Sequence, residues 1–191
     1  MNEELLVRAS SLFEAPEKWQ AFNELSNGKG QLMNYWWRKL QTEVQTRELK
    51  DGHIDWDFYA WNSWDMMWFV KGSKNDSFAI HYWGKTLRVC GYNGINQELL
   101  RNLLKDSRFD IIRRAFSRID GEDSSVFAWE DGNFSFGAIC DGHFSNVEEL
   151  VWYAGNETSK YADQLIKKVR NFQTPEILEL FKEINIECRV K

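Results

Sequence analysis

Residues Trp56 to Phe69 read WDFYAWNSWDMMWF, and the period at which their rings recur separates a helical fold from one built on a sheet. Seven of these fourteen positions are aromatic and four are tryptophan, in a chain whose overall aromatic share is 15%. Trp56, Phe58 and Ala60 alternate with Asp55, Asp57 and Tyr59, the period of two expected of a half-buried strand. The sequel SWDMMWFVK fits either that period or a helical spacing of Trp61, Trp64 and Trp68. The residues beyond Lys71 decide for strands. GSKND is rich in turn formers, SFAIHYW is rich in β-formers, Gly84-Lys85 suits a two-residue turn, and TLRVCGY continues the meander. On this reading Trp56, Phe58, Trp64, Met66 and Trp68, joined by Trp83, fill the inner face, and Tyr59, Trp61, Met67 and Phe69 are candidates for the outer one.

Helical signals flank this core. Leu5, Leu6, Ala9, Leu12 and Phe13 repeat at helical spacing, and Pro16 opens a second short helix. NGKG at 27–30 reads as a break, after which Leu32, Tyr35 or Trp36, Leu40 and Val44 mark a longer helix that Asp51-Gly52 ends. Asn96 caps QELLRNLLKD, and Asp106 or Ser107 caps a segment whose stripe is Phe109, Ile112, Phe116 and Ile119. SSVFAWE and NFSFGAI flank Asp131-Gly132, a strong hairpin signal. Ser145 with Glu148 forms a capping box for one long helix, 146–172, carrying Val147, Leu150, Val151, Ala154, Tyr161, Leu165, Val169 and Phe172 inward. Thr174-Pro175 starts a last helix that faces Ile177, Leu178, Phe181 and Ile184 toward the core.

The expected fold is therefore α+β, a single domain over residues 1–191. An antiparallel sheet of five to six strands covers residues 54–141, with N-terminal helices, an inserted helix pair and a long C-terminal helix. The longest apolar runs, such as MMWFV, fall far short of the roughly 18–20 residues that span a bilayer. The N-terminal MNEELLVRAS is acidic where a secretory signal is basic, so the chain is expected in the cytoplasm without membrane contact. Three widely spaced cysteines, Cys90, Cys140 and Cys188, give neither a disulfide framework nor a CxxC pair.

Charge is unevenly distributed. The chain carries 24 basic and 29 acidic residues, a net charge of −5. Arg101, Lys105, Arg108, Arg113, Arg114 and Arg118 crowd one segment, whereas residues 119–159 hold nine carboxylates and no lysine or arginine. Such a single-sign stretch steers partners of opposite charge.

Motifs for catalysis are missing from this pattern. There is no GxSxG, no GxxxxGK[ST] and no GxGxxG, and no cofactor is expected. Cys140 and His143, with Asp141 and His53, are zinc-competent donors, but one Cys-x-x-His pair without a second is a weak metal signal. Asp141 could serve a magnesium-dependent nuclease, yet no acid-x-lysine falls in a strand. Asp55, Asp57 and Asp65 repel phosphate beside the ring cluster, which leaves only Arg113, Arg114 and Arg118 for nucleic-acid contact.

The function expected from this balance is non-catalytic binding of a protein with a basic surface, as an inhibitor or immunity-type partner of a nucleic-acid-handling enzyme. Glu122, Asp123, Glu130 and Asp131 would make the charged contact, and an exposed subset of Tyr59, Trp61, Met67 and Phe69 the anchor. Two alternatives stand beside it. One is a metal-dependent or degenerate nuclease-like domain using Asp141 or His143, and the other is a structural, self-associating subunit.

Overall fold

The computed structural model describes residues 10–61, 65–73, 76–83, 86–118, 127–130 and 147–190. Its organising element is the strand pattern read from the tryptophan cluster. Strands β1 (Trp56–Ala60), β2 (Asp65–Val70), β3 (Phe78–Trp83) and β4 (Thr86–Gly91) pair in sequence order as an antiparallel meander. Beyond β4 the ladder continues to Phe127–Glu130, which pairs in turn with Ser117–Arg118. These are β6 and β5. The segment 131–141, with the Asp131-Gly132 turn, lies outside the described residues, as do Trp64 and Gly84-Lys85.

Register sets the two faces. Phe58 stands opposite Trp68, Met66 opposite Tyr82, and Ile80 opposite Val89, which places these residues on one side. Tyr59 opposite Met67, Asp65 opposite Trp83, and His81 opposite Arg88 fall on the other, since neighbouring side chains alternate across a sheet. Every residue of the first set is buried or half-buried in the main core. The fold is α+β, with helices packed on that inner face.

Helices from both ends of the chain cover it. Helix α1 (Pro16–Asp51) contributes Trp37, Leu40 and Val44. After the short inserted helices α2 (Gln97–Leu103) and α3 (Asp110–Ala115) come α4 (Val147–Asn156), α5 (Thr158–Phe172) and α6 (Pro175–Glu187). Tyr161, Leu165 and Val169 of α5 and Ile177, Phe181 and Ile184 of α6 are buried in the same cluster. Phe181 packs against both Trp56 and Phe78, at ring separations of 5.1 and 4.7 Å. Each such side chain contributes about 1.5–3 kcal/mol by leaving water. The capping signals hold where they are described: the Asn96 side chain accepts from the Glu98 and Leu99 amides, and Thr174 accepts from Ile177.

Two helix expectations are corrected. NGKG does not break the first helical region, because α1 runs 36 residues straight through it. An interior glycine costs a helix only about 1 kcal/mol, and neither Gly28 nor Gly30 adopts the positive φ of a helix end. The 146–172 helix is, conversely, two helices. At Glu157 the backbone turns to φ −114°, ψ 37°, and side chains capture the carbonyls that the break releases. Thr158 Oγ1 donates to Ala154 O and Gly155 O at 2.7 and 3.1 Å, and Lys39 Nζ donates to Gly155 O at 2.7 Å. A threonine competing for backbone carbonyls beside a Gly-Asn pair defeats the helical period that runs through them.

Gly155 also lies where α1 and α4 meet closely. A Cβ at this position would lie 2.2 Å from Cδ1 of Trp36, a half-buried ring. Gly155→Ala is expected to destabilise the protein by about 1–3 kcal/mol, although alanine favours helix, because the ring must shift. Urea unfolding of the single variant and of Gly155→Ala combined with Trp36→Leu measures this. The alanine penalty should shrink in the second background.

Candidate functional site

The outer face of the meander carries a polar cluster that a strand of alternating residues delivers without any loop. His81 lies in the middle of β3 and is buried. Its Nε2 is 3.2 Å from Oδ1 of Asp65 on β2. On the other side of the ring, Nδ1 is 3.1 Å from Nε of Arg88 on β4 and 2.5 Å from the hydroxyl of Tyr92. An arginine Nε–H can only donate, so Nδ1 holds the lone pair and Nε2 carries the proton that Asp65 accepts. Tyr92 then donates to Nδ1 as well. One tautomer of one histidine joins three strands of the outer face.

The electrostatics agree with that assignment. Burial lowers the His81 pKa below its ordinary value, the hydrogen bond to Asp65 opposes the shift, and the Arg88 charge adds to it. The ring stays neutral, as acceptance from Arg88 requires. Burial pushes the Cys90 thiol up to about 11, so this fully buried cysteine, with Sγ 3.7 Å from Nδ1, is a thiol and no nucleophile. Tyr92 is likewise held protonated, by burial first and by Cys90 second.

Above this floor lies a cleft of about 420 Å³ whose lining includes Trp61, Asp65, His81, Trp83, Arg88 and Tyr92. Its size is within the range of ordinary ligand sites. Trp61 is 68% exposed and Trp83 51% exposed, which makes them rims rather than floor. The Arg88 guanidinium lies over the Trp83 ring at 4.8 Å, and Tyr59, 40% exposed, meets Trp61 edge-on at 6.2 Å. The amide of Trp61 donates to Asp65 O at 3.1 Å and fixes the start of the rim. Asp76, which also lines the cleft, pairs with Arg189 at 3.0 Å.

The expected site residues divide. Trp61 stands exposed at the cleft, and Tyr59, also exposed, packs against it. Met67 and Phe69 face the same side but are buried, in a small second cluster with Ala79 against which Tyr92 packs, so they are no exposed anchor. Trp83 is corrected in the opposite sense, since alternation with the inward Tyr82 turns it out of the core. Glu130 stands opposite Arg88 in the ladder, which brings its backbone beside the cleft strand. Glu122, Asp123 and Asp131 lie outside the described residues, as do Cys140, Asp141 and His143. Nδ1 of His53 accepts from the Asp55 amide at 3.2 Å, and among the described residues no group of three or more His, Cys, Asp or Glu is placed to hold a metal. Arg113 is paired with Asp110 on its own helix, and Arg108 with Asp106 and Glu183.

Sequence reasoning missed Asp65, His81 and Arg88 as a unit. The signal was available, because a tight β3–β4 hairpin puts Arg88 across from His81, and Asp65 opens the strand whose alternation sorts the neighbouring rings.

A histidine that stays neutral when folded and charges when unfolded makes stability depend on pH. The unfolded ring takes its proton near about pH 6.5, whereas the folded ring takes it lower. Stability from His81 is complete above that range and is lost as pH falls through it, at up to about 1.4 kcal/mol per pH unit. Denaturant unfolding between pH 7.5 and 5, read against His81→Gln, checks this; equal slopes in both proteins contradict a buried neutral ring. Comparison of the chain with protein-family models, curated proteins and solved structures finds no match.

Proposed function

We propose that this protein is a non-catalytic recognition module that binds a basic protein partner through the outer face of its sheet. The observation that carries the reading is the pair of exposed tryptophans, Trp61 and Trp83, flanking the half-buried carboxylate of Asp65 above a closed hydrogen-bond network. Exposed Trp and Tyr beside an oriented Arg is the composition of interface hot spots, whose binding energy comes from a few rings seated in desolvated pockets. Catalysis asks for something else. A general base needs a lone pair directed at substrate, and the one on His81 already accepts from Arg88 and Tyr92.

A basic partner suits the charges. The cleft combines Asp65 with Arg88 and a neutral His81, its Asp76 is paired with Arg189, and the whole chain carries −5. Such a field raises association rates with cationic surfaces and disfavours acidic ones. On this reading the acids expected as the contact, Glu122, Asp123, Glu130 and Asp131, supply its charged part. The sheet runs to five or six strands. The module acts in the cytoplasm as an inhibitor or immunity-type partner, and among the described residues no helix is long and apolar enough to cross a membrane.

Capture from lysate with the wild-type chain and with Trp61→Ala/Trp83→Ala, followed by mass spectrometry, identifies the partner. Both rings are exposed, so the variant keeps its fold. Loss of Trp61 should weaken a purified complex by about 2 kcal/mol, about 30-fold. Glu130→Gln with Asp131→Asn should slow association and flatten its salt dependence. Equal capture by wild type and the tryptophan variant would refute the proposed face, and unchanged association at low salt would refute its electrostatic part.

A further inference from the structure

Helix α1 has two halves of opposite character. Its buried residues, Trp37, Leu40, Val44 and Glu48, all lie in the second half. Followed backward in steps of three and four, the same stripe passes through Met33, Gly30, Ser26, Phe22 and Trp19. There the buried positions give way to exposed ones, Phe22 among them. Trp19 is 51% exposed and Leu25 69% exposed, and the ion pair of Lys29 with Glu148 at 3.0 Å ties α1 to the start of α4. The exposed rings are nevertheless ordered among themselves. Trp19 stacks on Phe22 at 5.6 Å, and Phe13 closes on both, at 5.3 and 4.8 Å.

That arrangement is costly for an isolated segment. Gly28 and Gly30 each weaken the helix by about 1 kcal/mol, and helices shorter than about 12–15 residues are marginal without tertiary contacts. Among the described residues nothing lies within 4 Å of where a Cβ on Gly30 would be, so no packing contact among them calls for the missing side chain. A closely approaching helix does.

We propose that the projecting half of α1 is a dimerisation surface that pairs antiparallel with the same half of a second copy. The stripe is bulky at its N-terminal end, at Trp19 and Phe22, and small at its C-terminal end, at Ser26 and Gly30. An antiparallel two-fold sets Phe22 against Ser26 and Trp19 beside Gly30, and does so twice. A parallel pairing would set ring on ring and gap on gap. The area suffices. A fully buried aromatic side chain removes about 150–250 Å², so partly exposed Phe13, Trp19 and Phe22 with Leu12 and Leu25 remove roughly 500 Å² per copy. The total of about 1,000 Å² is the lower bound for a specific interface, and it fits a dimer of micromolar affinity.

Sedimentation equilibrium of the full chain across the micromolar range, at physiological and at molar salt, tests this. A dimer that survives high salt is expected, because the interface is apolar. Trp19→Ser/Phe22→Ser should be monomeric, with the thermal midpoint of its isolated monomer unchanged. Ser26→Phe is the discriminating variant. It adds apolar surface but fills the gap that receives Phe22, so dimerisation should weaken at least about tenfold. A chain monomeric at all concentrations overturns the proposal, whether Trp19 emission reports a wet or a covered ring. So does a dimer indifferent to the ring pair, or one that Ser26→Phe tightens.

Discussion

At the centre of the molecule the hydroxyls of Tyr82 and Tyr161 meet at 2.5 Å, and the rest of the architecture is arranged around that contact. Tyr82 belongs to the inner face of β3 and Tyr161 to α5, and the ring of Trp37 from α1 lies 6.2 and 6.5 Å from the two. Three layers therefore converge on one buried hydrogen bond enclosed by aromatic rings. A buried hydroxyl is tolerated only with a partner, and here each supplies the other's. The consequence is positional. A shift of one residue in the register of β3, or a fraction of a turn in α5, would separate the oxygens and leave two polar groups in the core.

Fixing Tyr82 inward fixes His81 and Trp83 outward, because they are its neighbours on the strand. The outer face is thus a product of the core. Its histidine is held by partners from β2 and β4 and from the residue just beyond β4, so the floor of the cleft is as rigid as the sheet itself. A rigid floor with exposed rings at its rim needs little ordering on binding, and the entropic cost of association falls accordingly. The indoles inside the core show the opposite economy. Nε1 of Trp56 and of Trp68 is buried without an acceptor among the described residues, so these two side chains stabilise the fold through buried area and ring contacts, against the cost of an unpaired N–H.

Legibility of the chain from its letters tracks the reach of each interaction. Period-two alternation gave β1 and β2, and capping chemistry gave the starts of α2 and α6, since both depend on interactions within a few residues. The helix limits around Gly28 and Glu157 went the other way. One depended on the tolerance of a helix for glycine, the other on Thr158 and on Lys39, which is distant in sequence. For the site, Tyr59 and Trp61 were legible as outward rings. The burial of Met67 and Phe69 was not, because alternation assigns a side chain to a face without saying what covers that face, and here it carries a small cluster of its own with Tyr92.

The same distinction between local and distant partners governs the charge. A basic segment beside an acidic one invites the expectation that the two cancel, but Arg113 is answered by Asp110 on its own helix and Arg108 by Asp106 and Glu183. Arg170 is committed elsewhere, to Glu48, whose side chain is 3% exposed, and Arg47 to Glu43 and Asp163. Of the carboxylates in residues 119–159, Glu148 is paired with Lys29 on α1. Arginines spent within their own helices or across the core are neutralised where they stand. The negative excess of the chain therefore remains available as a field, and a cleft whose cation, Arg88, is held against His81 and Trp83 lies within the part of the protein that such a field would serve.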